Sequence, residues 1–275
     1  SMSPRARTID EEGVVIEPMP ILKGGSFLER DVRAVLTGAP YPARNPATNI
    51  ADLKAQLAAN ARGVLELERL CAQYGSAVVA RYMSLVQSNS EATIRAVIRT
   101  LRGGNFRVET DQGFVIVVTV DIDGETGSAV VDFSGTSPIQ NSSFNAPEPV
   151  VRAAVLYVFR VLAGTSMPIN AGCLKPIEIR IPEGSMLAPR HPAPVVAGNT
   201  ETSQIITNAL FAALGAMASS QGTMNNLTFG NGLLQYYETI CSGSPAGPGF
   251  NGTPAVQVHM TNTRMTDPEI LELRY

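Results

Sequence analysis

Charge is scarce in this sequence. Only 16% of its 275 residues are Asp, Glu, Lys or Arg, against roughly 25% in an ordinary globular domain. With 44% hydrophobic residues, so little charge excludes an intrinsically disordered chain and allows a sizeable core. A net charge of −3 gives no reason to expect a nucleic-acid or anionic-membrane partner. Cysteine is sparse too. Cys71, Cys173 and Cys241 stand far apart with no CxxC pair, which argues against a disulfide framework or structural zinc site and predicts a reducing cytoplasm. Long apolar runs are missing: Ala209 to Ala218, the most apolar stretch, falls far short of the roughly 20 residues of a membrane span. The segment from Met2 to Arg5 opens without a hydrophobic signal core. No Walker loop, GxSxG or HExxH occurs, so three common routes to nucleotide, serine or zinc chemistry are closed.

The remaining charge is unevenly placed. Residues 1–102 hold 23 of the 45 charges, whereas His191 to Thr263 holds only Glu201 and Glu238. Residues 1–48 are rich in turn formers and read as an extended arm, with Asp10-Glu11-Glu12 as a solvated turn. From Asn49 the pattern is helical: Ile50, Leu53, Leu57, Val64, Leu67 and Cys71 recur at three- and four-residue steps. Thr48 or Asn49 can cap the start and Gly75 the end. A second helix over Ser76 to Leu101, with Val79, Tyr82, Val86, Ile94, Val97 and Leu101 inward, completes a helical hairpin over 49–102.

Beyond it the chain alternates between strands and helices. Val115 to Ile122 and Ser128 to Ser134 read as a β-hairpin turning at Asp123-Gly124. Val150 to Leu162 and Thr202 to Met217 read as apolar helices, the first opened by Pro147 and Pro149. Further strands are predicted at Ile177 to Ile181, Pro194 to Ala197, Met224 to Phe229, Leu233 to Ile240 and Ala255 to Met260. With no regular βαβ rhythm, the expected class is α+β. It comprises an arm, a helical hairpin, and a region over 103–275 of mixed, largely antiparallel sheet with packed helices.

The uncharged tract carries the candidate chemistry. Gly198-Asn199-Thr200-Glu201-Thr202-Ser203-Gln204 lies between a predicted strand and helix. Its backbone N–H groups favour an anionic oxygen, though plain capping by Thr200 or Thr202 explains it as well. Gln221-Gly222-Thr223-Met224-Asn225-Asn226 and His259-Met260-Thr261-Asn262-Thr263-Arg264 are similar. Asparagine offers donor and acceptor together, so such blocks suit an amide or imide edge, and each alone also reads as a turn. His259 is either an acid/base or ligand residue or a structural histidine. Glu238, in Tyr236-Tyr237-Glu238, is either a carboxylate raised by desolvation or a hydrogen-bonded structural one.

Read together, these strings resemble a known family. Val131 to Pro138 with Asn145-Ala146-Pro147, Pro168 to Leu174 and Pro182 to Ser185 are similar to the hydantoinase B family, and so are Ala197-Gly198-Asn199 and the three blocks above. Upstream, Glu11-Glu12-Gly13-Val14 and residues 49–63 share the likeness. The resemblance is closest to the hydantoinase B portion of the 5-oxoprolinases. It implies an ATP-dependent hydrolase of cyclic amides, in which a hydantoinase A-type partner uses ATP and Mg²⁺ and no cofactor binds this chain. It also implies an internal portion of such an enzyme, with the family's metal motif outside this sequence.

On that reading Asn199, Thr202, Asn225, Asn226 and Asn262 are the expected substrate contacts, and Glu201, Glu238 and His259 the expected proton-handling or positioning groups. Gln257 stands where the family has a histidine. Cys241-Ser242-Gly243-Ser244-Pro245 replaces a glycine-rich run. Two other readings stay open: a truncated module that folds, oligomerises or binds ligand without turnover, and a subunit of an acetone or acetophenone carboxylase-like complex. Self-association is expected in each case.

Overall fold

A computed structural model of the protein describes residues 5–164, 166–231, 233 and 235–261. The fold is α+β. Its centre is a four-stranded sheet ordered β3-β4-β5-β6, made of β3 (Gly104–Glu109), β4 (Val115–Asp123), β5 (Ser128–Asp132) and β6 (Ile177–Arg180). The first three strands pair antiparallel and β6 joins β5 in parallel. Along β4 and β5 alternate residues Ile116, Val118, Val120, Ala129 and Val131 are buried, the period-2 signature of a sheet with one covered face. That face packs against α3 (Ser76–Ile98) and α5 (Thr202–Ala213), with α4 (Glu148–Ala163) packed beside α5. Phe133, Phe159, Phe211, Met186 and Ile206 fill the space between sheet and helices.

Helix α2 (Pro46–Tyr74) begins earlier than its apolar pattern. Asn45 is the cap, its side chain accepting from the Thr48 N–H, and Pro46 takes the first helical position, where its missing N–H costs nothing. Gly75 ends α2 and starts α3 at φ +85°, a backbone conformation that glycine adopts without strain. The Asp123-Gly124 turn is longer than the two-residue form expected. Asp123 pairs with Ser128, and the Asp123 carboxylate accepts from the Glu125 and Thr126 N–H groups. Gly127 supplies the left-handed step.

Five local expectations differ from the structure. Residues 29–38, read as irregular, form the helix α1 (Glu29–Gly38), whose Val32 and Leu36 join Ile50 of α2 in a small satellite core. A short ribbon of β1 (Leu22–Lys23) and β2 (Ser26–Phe27) precedes it. Strand β3 carries a mostly exposed pattern that shows no period in sequence. Pro194 to Ala197 is not a strand; a 3-10 turn occupies Val196–Gly198. Ala255 to Met260 is not a strand either, because Ala255 and His259 both take φ +55°, outside the extended region.

The helical hairpin divides into a buried root and an exposed tip. Ile94 and Ile98 are wholly buried against the sheet, whereas Leu67 and Tyr82 are 45% and 64% exposed. A stripe at helical spacing states that a helix has an apolar face; it does not state that the same chain covers it. Substituting Ile94 with Ala is expected to cost about 3 kcal/mol by opening a cavity. Leu67→Ala should change stability by less than about 0.5 kcal/mol. Urea unfolding of both variants checks the contrast, and equal costs would contradict the division.

Candidate functional site

The motif blocks are distant in sequence and laced together in space. At the start of α5 the Thr200 carbonyl accepts from the Met224 N–H at 3.1 Å, and the Glu201 carboxylate accepts from the Thr223 hydroxyl at 2.6 Å. The 221–226 block is tied in turn to β8 (Gln235–Thr239), which pairs with β7 (Asn226–Gly230). Asn226 Oδ1 accepts from the Tyr237 and Thr239 hydroxyls, and the Asn225 carbonyl accepts from the Ile240 N–H. From β8 the link passes to the last block, where Gln257 Nε2 donates to the Thr239 carbonyl at 3.1 Å. It returns to α5 through Gln204, whose Nε2 donates to Thr261 Oγ1 and whose Oε1 accepts from the Met260 N–H. The four segments form one closed circuit of hydrogen bonds, built almost wholly from neutral groups.

Expected site residues fall into three situations. Thr202 is fully buried and its hydroxyl donates to the Phe144 carbonyl, so it anchors α5 and does not face solvent. Asn226 is exposed but engaged in the circuit, its Nδ2 donating to the Met224 carbonyl. Asn199 and Asn225 are exposed at the edge. Asn262 lies outside the described residues. Glu201 precedes α5 without making a side-chain cap, which sets aside the capping expectation for Thr200 and Thr202. Burial pushes its carboxyl above the usual range, and the Thr223 hydroxyl opposes that shift. Glu238 is buried and accepts from the Tyr236 hydroxyl at 2.9 Å.

His259 sits against two aromatic rings. Its ring centroid lies 5.3 Å from Phe211 of α5 and 5.9 Å from Tyr157 of α4. Nδ1 is 3.4 Å from the Tyr157 hydroxyl, and Nε2 is buried with no partner among the described residues. Burial lowers the imidazole pKa from 6.5 to about 4, so the ring is neutral at physiological pH. Gln257 Oε1 is likewise buried and has no partner among the described residues. Both residues line a cavity of about 290 Å³.

Several structural supports carry weaker sequence signals. Glu12, read as part of a solvated turn, is buried, and its carboxylate accepts from the Val195 and Val196 N–H groups at 2.8 Å each. Asn145 donates to the carbonyls of Gln140, Ser142 and Pro194 while accepting from the Gln140 N–H. Gln204, Thr207 and Asn208 lie on the buried face of α5. Polar residues at core spacing in an apolar helix were the available signal for them. A wider cleft of about 880 Å³ lies between the Glu11–Val14 segment and the ends of α1 and α2. Its two carboxylates are already committed, Glu11 to the Arg7 N–H and Glu12 to the 195–196 turn. Among the described residues no three His, Cys, Asp or Glu side chains cluster as a metal site.

Two outcomes follow for stability. Glu12→Ala should cost about 2–3 kcal/mol by stranding two donors, and Glu12→Gln less because one acceptor remains; urea unfolding ranks the pair. For His259 the folded pKa is depressed, so between about pH 4 and 6.5 the unfolded chain binds a proton that the folded chain refuses. Stability contributed by this group is complete above pH 6.5 and declines as pH falls to about 4, by on the order of 2–3 kcal/mol. Glu201, raised in the fold, acts in the opposite direction. Wild type minus His259→Gln, measured in urea at acid and neutral pH, isolates the histidine. An identical pH dependence in the two proteins would contradict its neutral burial.

Comparison with known proteins places these features. The model of the Hydantoinase B/oxoprolinase family matches residues 1–275. The chain is 42% identical over 302 aligned residues to 5-oxoprolinase 1 of Arabidopsis thaliana, covering 100% of this chain and 24% of that protein. It is 43% identical over 284 residues to 5-oxoprolinase of Dictyostelium discoideum, again across 100% of this chain and 22% of the relative. It therefore spans about a quarter of the length of these relatives. Its fold resembles an ATP-dependent caprolactamase from Pseudomonas jessenii, with TM-score 0.76 and 21% identity over 96% of this chain and 49% of the other. An acetone carboxylase in its nucleotide-free form shares the fold at TM-score 0.78 and 15% identity, over 99% of this chain and 40% of that one. The motif blocks that close the circuit and the match along the full sequence agree: this chain belongs to the hydantoinase B/oxoprolinase family.

Proposed function

We propose that this chain is one portion of an ATP-dependent cyclic-amide hydrolase that opens 5-oxoproline or a hydantoin together with a hydantoinase A-type partner. The observation that carries this reading is the largely uncharged circuit joining residues 198–204, 221–226, 235–240 and 257–261. Such a frame suits holding an uncharged amide. It is poorly equipped to cleave one alone, because a lactam is a stable amide and needs its carbonyl oxygen activated. In the frame Glu238 is committed to Tyr236 and His259 is a neutral ring without a carboxylate partner. ATP, with Mg²⁺ on the partner, would supply the phosphoryl group that turns the carbonyl oxygen into a leaving group. The names of the relatives and of the caprolactamase support the same substrate class.

Within this reading Asn199 and Asn225 remain available to substrate, while Glu201, Glu238 and His259 position the frame and do not carry protons through a catalytic cycle. The chain also self-associates. The hairpin tip offers a surface for a second copy: from Leu70 to Ser90 its sole charge is Arg81. Exposed Val64, Leu67, Leu70, Tyr74, Val78, Tyr82, Met83 and Leu85 lie along it, the apolar character that a homodimer interface shows.

Incubation with the partner, ATP, Mg²⁺ and 5-oxoproline is expected to release glutamate and ADP, and either chain alone neither. Absence of turnover with both present sinks the proposal. Sedimentation over a concentration series checks self-association, which a strict monomer throughout would remove.

A further inference from the structure

The exposed end of the helical hairpin carries a pattern as well as apolar surface. On α2, Val64, Leu67, Cys71 and Tyr74 recur at steps of three, four and three, and on α3 Val78, Tyr82 and Leu85 at steps of four and three. That spacing is the seam by which one helix packs on another. The seam of α3 is not the face it turns to its own chain. Val79 and Gln87 are half-buried and Ser90 and Ile94 buried. At about 100° per residue, that face lies about a third of a turn from Val78, Tyr82 and Leu85. Those three are 45%, 64% and 50% exposed. On α2 the ion-paired Arg62, Glu66 and Arg69 stand on the side opposite the seam.

Two charges flank these seams, and neither is used within the chain. Glu68 follows Leu67 on α2 and Arg81 precedes Tyr82 on α3. Both are exposed, and neither has an ion pair or hydrogen bond among the described residues. Gly75, where the helices meet, is seven residues from Glu68 and six from Arg81. At a rise of about 1.5 Å per residue both stand about 10 Å from the turn. Flanking positions of this kind carry the ion pairs that set partner and orientation between packed helices. One acid and one base at the same height make the hairpin complementary to a copy of itself. A two-fold axis at that height brings Glu68 of each copy to Arg81 of the other.

We propose that two copies of this chain pack hairpin against hairpin, α2 of one on α3 of the other. Val64, Leu67, Tyr74, Val78, Tyr82 and Leu85 close the seam, and two Glu68–Arg81 ion pairs run along its edges. The apolar residues supply the driving force. The charges select the occupant: an exposed ion pair adds little affinity, but like charges in the same place oppose a wrong partner. The inference rests on the self-association proposed above, to which it adds the pairing, and it is independent of the cyclic-amide reading.

Sedimentation of the full chain and its variants over a concentration series is the test. Glu68→Arg and Arg81→Glu each bring like charges together twice in the dimer, and each should raise its dissociation constant about tenfold. Mixing the two variants in equal amounts should restore association, because only the heterodimer then pairs opposite charges at both edges. Tyr82→Glu, in the middle of the seam, should give a monomer with unchanged circular dichroism. A dimer indifferent to these substitutions, or charge variants that stay dissociated when mixed, overturns the pairing and leaves self-association standing. A strict monomer of the unaltered chain removes both. Tyr82→Glu that loses the hydantoinase A-type partner while still self-associating gives the hairpin to that partner, and this too overturns the proposal. Should Tyr82→Glu misfold, the mixing experiment decides alone.

Discussion

Everything in the polar region depends on one requirement: a buried hydrogen-bonding group must find a partner. Gln204 is 1% exposed in the first turn of α5. Left unpaired, its amide would cost more than most single contacts contribute. Its two ends are met by Thr261 and Met260, 57 and 56 residues away, so satisfying one side chain of α5 fixes the far segment of the chain. That segment in turn holds Gln257 on β8. The links are cooperative because each orients the donor or acceptor of the next. The scarcity of charge fits the same requirement: the two acids of the frame, Glu201 and Glu238, are each met by a hydroxyl, from Thr223 and Tyr236.

A second layer of contacts holds the entry to α5. The Glu12 carboxylate grips the Val195 and Val196 N–H groups, Asn145 holds the Pro194 carbonyl, and the Ala197 N–H reaches the Ser143 carbonyl. Thr202 closes the set on Phe144. Gly198 is required where it stands, because a Cβ there would overlap the Asn145 carbonyl oxygen and the Ala146 backbone. Glu11-Glu12-Gly13, Asn145-Ala146-Pro147 and Ala197-Gly198-Asn199, three separate strings in sequence, are therefore one structural joint. The joint sets where α5 begins, and through Gln204 where His259 lies.

The parts legible in the sequence were those whose signal is local. Helices α2 to α5 follow from apolar spacing over many residues, and β4 with β5 from β-branched alternation around a turn. Strand β3 was hidden because Asn105, Phe106 and Arg107 are exposed, and α1 because a ten-residue helix buries only Val32 and Leu36. The motif blocks stood out by composition, but composition does not state what pairs with what. Thr202 and Asn226 looked like ligand contacts because hydroxyls and amides serve structure and recognition equally well. Only their partners, Phe144 in one case and Tyr237 with Thr239 in the other, separate the two roles. The left-handed backbone at His259 had no local cue at all, since glycine is the usual signal for it.

That backbone conformation bears on what the histidine can do. On an extended strand its ring would alternate with Val258 and Met260; at φ +55° it turns onto Phe211 and Tyr157 instead. Packing against aromatic rings removes it from water, and removal from water disfavours the charged form. An imidazole held neutral is a poor source of protons at physiological pH but a fixed hydrogen-bond donor that undergoes no change of charge. The same tract that holds only two charged side chains, Glu201 and Glu238, also keeps its histidine neutral. A site built that way is suited to orientation and exclusion of solvent and poorly suited to proton transfer.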